Sequence, residues 1–246
     1  MGTVGTALTE LRGAQKSAKG VSLYSRFVNR PVGRYLAAGS YAAGLTPNQV
    51  TLISAGFSFA AIAAIALTGP SWVLGLAVWA ALAVGFAFDS ADGQLARLRG
   101  GGSPAGEWLD HVVDCAKITA LHSAVLIAFY RFPAQYGIAG ADGAADAGWL
   151  LVPIGFLFAA IVTFFGGLLT EKLKPKPAAG SAAPTPSTLR AVALLPVDYG
   201  VFCLVFLLLG GGDWFRWAYA ALGVVAGLFL LAFTAKWFRE LNAVVR

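Results

Sequence analysis

Charged side chains are scarce in this sequence. Asp, Glu, Lys and Arg make up 12% of its 246 residues, about half the share a soluble domain carries. With 58% hydrophobic residues and a mean hydropathy of +0.71, that scarcity excludes an ordinary soluble domain and points to the bilayer. Cysteine is nearly absent. Cys115 and Cys203 both fall in apolar runs, where they read as small buried hydrophobes, and no disulfide framework is implied. The two histidines, His111 and His122, read as core or interface residues and cannot form a His/Cys zinc set. Residues 1–20 hold no apolar core behind a charged start, so insertion is expected to use internal spans rather than a secretory signal. The net charge of +6 is spread over the ends of apolar segments and not gathered on one soluble face. That excludes nucleic acid as a partner and suits anionic membrane lipid.

Long apolar runs are what the sequence has instead. Six segments are expected to span a membrane as helices, at 47–67, from 72 into the Asp89 region, and at 106–130, 149–170, 194–209 and 214–238; the fifth is the shortest. Each lies near the roughly 20 residues that cross a hydrocarbon core, and helices are required because lipid offers the backbone no hydrogen bonds. With the N-terminus placed in the cytoplasm, only Arg131 and Arg216 of the 18 basic residues fall outside, while Lys117 lies within a span. This asymmetry predicts six spans with both termini cytoplasmic. Trp72, Tyr130, Tyr136, Trp149, Trp214 and Trp217 then form an outer aromatic belt. Residues 1–19 read as a polar tail, and 20–44 as an amphipathic helix lying in the cytoplasmic interface. Residues 45–246 form the six-helix domain, interrupted over 172–190 by a Pro/Ala/Ser linker. The expected fold class is therefore an all-α integral membrane protein with six transmembrane helices and an N-terminal interfacial amphipathic helix. Asp142 and Asp146 read as solvated loop charges. The Gly100–Gly102 run reads as a flexible turn, since it lacks the lysine and the strand of a phosphate loop.

Most acidic groups at membrane depth lie in one stretch, FDSADGQLARLRGGGSPAGEWLDHVVDC. Asp89 and Asp92 are three apart and Asp110 and Asp114 four apart, so each pair shares a helix face. The connecting turn is short, which makes the two helices antiparallel neighbours and sets all four carboxylates at one depth. Four such groups in a low-dielectric site need protonation, basic partners or metal. Arg97 and Lys117 supply two charges. Divalent cations would satisfy the remainder, and oxygen ligands favour Mg²⁺, Mn²⁺ or Ca²⁺ over zinc. Gly93, Ala96 and Gly106 leave room beside the aspartates for a flat group such as a nucleotide base. Arg97 is placed to neutralise phosphate or to close that pocket.

The pattern Asp89-x2-Asp92-Gly93-x2-Ala96-Arg97-x8-Gly106-x3-Asp110-x3-Asp114 resembles the signature of the CDP-alcohol phosphotransferases at every position and spacing. The run LTPNQVT at 45–51 resembles the opening of the first span in that family. The resemblance implies that Asp89, Asp92, Asp110 and Asp114 bind a pair of metal ions, Mg²⁺ or Mn²⁺. It implies that Asp92, Gly93, Ala96, Arg97 and Gly106 shape a nucleotide pocket, and that Asp114 is the general base on an acceptor hydroxyl. It further implies a CDP-linked lipid donor (CDP-diacylglycerol foremost), a small polar alcohol acceptor, release of CMP, a place in phospholipid synthesis at the cell membrane with the active site facing the cytoplasm, and a homodimer. The N-terminal run also resembles the branch of the family that transfers to inositol phosphate. Lys117, Arg190 and Asp198 are candidate acceptor contacts. Lys117 is as well placed to pair with the carboxylates, and Asp198 to pair with Arg190.

Two other family-level readings are a soluble CDP-polyol donor such as CDP-inositol and an aspartate-rich prenyltransferase. The latter usually sets its motifs in separated helical repeats, whereas here both pairs flank one turn. A carboxylate-lined ion or proton transporter should carry ionisable groups along its whole path, and the outer halves of these spans are apolar. Asp89→Asn and Asp114→Asn are each expected to abolish turnover while the protein still enters the membrane fraction. CMP release and membrane fractionation check this, and full activity in Asp114→Asn would remove it as the base.

Overall fold

The structure is a computed structural model that describes residues 3–13, 21–175 and 187–244. Residues 1, 2 and 14–19 of the expected tail, residue 20 of the expected interfacial helix and 176–186 of the expected linker lie outside the described residues. Every named element is helical: α1 (Val4–Gly13), a π-turn at Ser25–Asn29 running into α2 (Arg30–Ala42), α3 (Pro47–Leu67), α4 (Trp72–Leu98), α5 (Pro104–Arg131), α6 (Ala147–Leu173), α7 (Thr188–Ala193), α8 (Tyr199–Val205) and α9 (Gly212–Val244). Helices α3, α4, α5, α6 and α9 are long and apolar enough to cross a membrane.

Helix starts follow local chemistry. Thr46 and Gln49 form a reciprocal capping box before Pro47. The Ser71 and Ser103 hydroxyls accept the Leu74 and Gly106 amides at the starts of α4 and α5, and Asp146 accepts two amides at the start of α6. Asp146 is thus a cap as well as a loop charge. The α4–α5 turn closes through Gly100 (φ 92°) and Gly101 (φ 129°), backbone conformations that favour glycine.

The spans close into a ring. α4 packs on α3, α3 on α5, α5 on α6 and α6 on α9; α9 meets the 3₁₀ turns flanking α8, and α8 returns to α4. The ring's interior is aromatic, with Phe129, Tyr136, Phe206, Phe215 and Tyr219 fully buried. At membrane depth such packing holds helices together by van der Waals contact rather than by escape from water. α3 and α4 approach closely at Gly85. A Cβ there would sit 2.5 Å from the Ser58 Oγ, and the Ser54 hydroxyl donates to the Gly85 carbonyl at 2.8 Å.

Two segments differ from expectation. The stretch read as a polar tail contains α1, whose Ala7 and Leu11 are buried in a small cluster with Ala37, Val50 and Leu95. Val4, Ala7, Leu8 and Leu11 share a helix face, hidden in the sequence among threonines and glycines. The expected fifth span is shorter and broken. Pro196 sits in a 3₁₀ turn, α8 follows, and a second 3₁₀ turn covers Phe206–Gly210. Tyr199–Gly210 rises roughly 20 Å at 1.5–2.0 Å per residue, short of the roughly 30 Å hydrocarbon core.

Gly85→Val should wedge α3 from α4 and cost about 1–3 kcal/mol. A lower thermal unfolding temperature in detergent checks this, and an unchanged one would mean the two helices tolerate separation.

Candidate active site

Three of the four aspartates converge where side chains of α4 and α5 meet beside α3, the helix on which both pack. Ligand oxygens of Asp89, Asp110 and Asp114 lie within 4.8 Å of one another, a spacing that suits a shared metal ion. The Lys117 ammonium sits beneath them. It donates to Asp89 Oδ1 at 2.6 Å, to Asp114 Oδ1 at 3.3 Å and to the Ser54 hydroxyl at 3.1 Å. The lysine is buried, at 6% exposure, so a charge that would be costly alone is matched by two carboxylates. Lys117 pairs with two of the three close carboxylates, and an oxygen-only donor set suits a hard divalent ion. The residues present therefore fit Mg²⁺ or Mn²⁺.

Asp92 stands apart from that group. Its Oδ2 accepts from the Thr51 hydroxyl at 2.6 Å and its Oδ1 from the Gly93 amide, while Asp89 and Asp110 remain within electrostatic reach. It faces a cleft of about 650 Å³ that Gly93, Ala96, Arg97, Gly106 and Asp110 also line. All five residues expected to shape a nucleotide pocket thus share one cavity, and Asp110 belongs to both the cavity and the carboxylate group. A Cβ on Gly93 would meet only the tip of Arg97, so a larger side chain there would fill the cleft. Arg30, on α2, lies near Arg97; burial, and then the nearby Arg26, hold the Arg30 guanidinium below its ordinary pKa.

The candidate acceptor residues separate. Lys117 is committed to the carboxylates. Asp198 is buried far from Arg190 in its bonding: it accepts from the Ser22 and Ser25 hydroxyls and from the Gly200 amide. Arg190 is exposed on α7. Lys172 and Lys174 pair with Glu107 and Glu240. Of the histidines, His111 lies 3.8 Å from Glu107, and His122 is buried with its Nδ1 2.6 Å from the Tyr219 hydroxyl.

Sequence reasoning passed over the contribution of α3. Asn48 and Thr51 line the cleft, and Ser54 holds Lys117. These three polar residues recur every third position in a mostly apolar span, a stripe that points to a polar site on that face.

The family model for CDP-alcohol phosphatidyltransferases matches residues 44–229, which include the whole aspartate pattern and the cleft. The chain belongs to this family. It is similar to the phosphatidylinositol phosphate synthase of Corynebacterium glutamicum, at 39% identity over 83 residues, 33% of this chain and 35% of that protein. It is similar to the enzyme of the same name from Mycobacteroides abscessus, at 38% identity over 93 residues, 37% of this chain and 40% of that protein. The chain thus spans little more than a third of the length of the relatives it matches. Two solved structures of Mycobacterium tuberculosis phosphatidylinositol phosphate synthase share the fold at 19% identity. One has CDP-DAG bound (TM-score 0.51, covering 83% of this chain and 90% of that one). The other is in complex with manganese and citrate (TM-score 0.53, covering 86% and 89%).

Titration with Mn²⁺, read by the loss of its free electron-spin signal, is expected to show weaker binding in the Asp110→Asn variant than in the unaltered chain. Thr51→Val, which removes a hydroxyl from the Asp92 carboxylate, should weaken binding roughly 10- to 100-fold. Wild-type affinity in both variants would dissociate the carboxylates from metal.

Proposed function

We propose that this protein transfers a phosphatidyl group from CDP-diacylglycerol to an inositol phosphate, releasing CMP, as a divalent-metal-dependent step of phospholipid synthesis. The observation that carries the reading is the juxtaposition of Asp89, Asp110 and Asp114 with a cleft lined by the family's nucleotide-pocket residues. The names of the two relatives support the donor class and the acceptor. In this reading both termini and the cleft face the cytoplasm, and the 3₁₀ turn at Leu195–Val197, α8 and the 3₁₀ turn at Phe206–Gly210 together complete six spans. The interfacial helix at 20–44 precedes a single domain from 45 onwards. The chain works in the plasma membrane, as a homodimer.

The residues act as follows. Gly93, Ala96 and Gly106 leave a flat slot for the cytosine, and Arg97 lies over the diphosphate. Asp89, Asp92, Asp110 and Asp114 hold the metal pair. Bound Mg²⁺ or Mn²⁺ supplies neutralisation of the charge that develops on the diphosphate and on departing CMP. Asp114 takes the proton of the acceptor hydroxyl, whose oxygen bonds to the phosphorus bearing the diacylglycerol as the bridging oxygen leaves with CMP. Lys117 holds Asp89 and Asp114 in place, so that the base keeps its aim. General-base help of this kind is worth about 10²–10⁴-fold.

Purified protein is to be incubated with CDP-diacylglycerol, Mg²⁺ or Mn²⁺, and in turn inositol phosphate, inositol, glycerol phosphate and serine. CMP should appear with inositol phosphate and depend on the metal. CMP release with another acceptor alone would reassign the acceptor. CMP from CDP-inositol, with none from CDP-diacylglycerol, would reverse the donor.

A further inference from the structure

Segment 22–33 lies far from the aspartates in sequence yet is fastened to α4, the helix that carries Asp89 and Asp92. The Asn29 side chain donates to the Phe86 carbonyl at 3.2 Å, and Gln94 donates to the Arg30 carbonyl at 3.1 Å. Gly33 packs so closely on Ser90 that a Cβ would fall 2.9 Å from the serine Cβ. The Tyr24 ring stacks on Phe86 at 6.5 Å, and Tyr199 meets Phe86 edge-on at 5.0 Å. Phe86 is one helical turn before Asp89.

The fastening to α8 is polar and buried. Asp198, at 6% exposure, receives the hydroxyls of Ser22 and Ser25 on Oδ2 and the Gly200 amide on Oδ1. Both of its oxygens are therefore engaged inside the protein. A Cβ on Gly200 would fall inside the Tyr24 ring, so the ring lies flat on the α8 backbone where only glycine admits it. Burial, reinforced by Cys203 and Asp198, raises the Tyr24 phenol above its ordinary pKa.

The geometry points to Asp198 as a positioning residue: through Ser22 and Ser25 it latches the N-terminal segment to α8 and thereby holds Tyr24 and Tyr199 against Phe86, one turn before Asp89. α8 also packs on α4, the helix that carries Asp89. Loosening the latch frees Phe86 and, with it, the register of Asp89 against Lys117. The inference rests on the proposed reaction for its kinetic readout alone.

The test uses the full chain in detergent, as Ser22→Ala/Ser25→Ala, as Asp198→Asn, and as all three together. Trypsin cleavage after Arg26, followed by mass spectrometry, should quicken in all three variants. Mn²⁺ binding should weaken in each, and turnover should fall roughly 10- to 100-fold with both substrate KM values nearly unchanged. Because the three residues act as one unit, the triple variant should lose no more than either parent. Ser25→Ala, which leaves Ser22 in place, gives the graded version should the double variant fail to fold. Wild-type turnover in the serine variant, beside a raised acceptor KM in Asp198→Asn, would make Asp198 an acceptor ligand and overturn the latch. Wild-type cleavage and Mn²⁺ affinity in every variant would overturn it as well. If the unaltered chain releases no CMP, the reaction proposed above fails, while cleavage and Mn²⁺ binding still decide the latch.

Discussion

A single buried ammonium organises the centre of this protein. Lys117 ties Asp89 of α4 to Asp114 of its own helix and to Ser54 of α3. Three helices thus meet at one charge. Carboxylates at membrane depth repel one another and resist desolvation. Lys117 offsets that repulsion at two of them, Asp89 and Asp114, and keeps the cluster intact. The close seam at Gly85 and Ser54 serves the same end, since a wider gap between α3 and α4 would carry Ser54 out of reach of the ammonium.

The arrangement separates two tasks. Asp92 turns away from the Lys117 group towards Thr51 and the cleft, while Asp89 and Asp114 turn towards the lysine. Asp110 belongs to both sets. Substrate phosphate and metal can therefore meet along one short line of carboxylates. The α4–α5 turn is held by two glycines at positive φ and by the Ser103 cap, which keeps this line from splaying.

Much of this was legible in the sequence, for a physical reason. Helical periodicity alone sets residues three or four apart on one face, and a five-residue turn brings the ends of α4 and α5 together, although the two helices pack on α3 rather than along each other. Long apolar runs marked α3, α4, α5, α6 and α9 equally well. What was not legible depends on partners far apart in the chain. The Thr51 hydroxyl on Asp92 and the serines on Asp198 belong to helices whose neighbours no local pattern names. Asp198 read as a ligand because an isolated acid in an apolar run looks functional until its hydrogen-bond donors are seen. The break in the fifth segment was signalled by Pro196, but α8 also needs the contacts at Gly200 and Gly210 to sit as it does. α1 was missed because four apolar residues make a weak stripe in a polar stretch.

The cleft has a linear address: every residue that lines it falls between Thr46 and Asp110, and its packing partners α2, α3, α4 and α5 all precede residue 132. The chain leaves the ribosome in that order, and segments made first assemble first. The nucleotide-sized half of the site can therefore be built and paired in the membrane while α6 to α9 are still being synthesised, which leaves the later half to close the ring around a finished pocket.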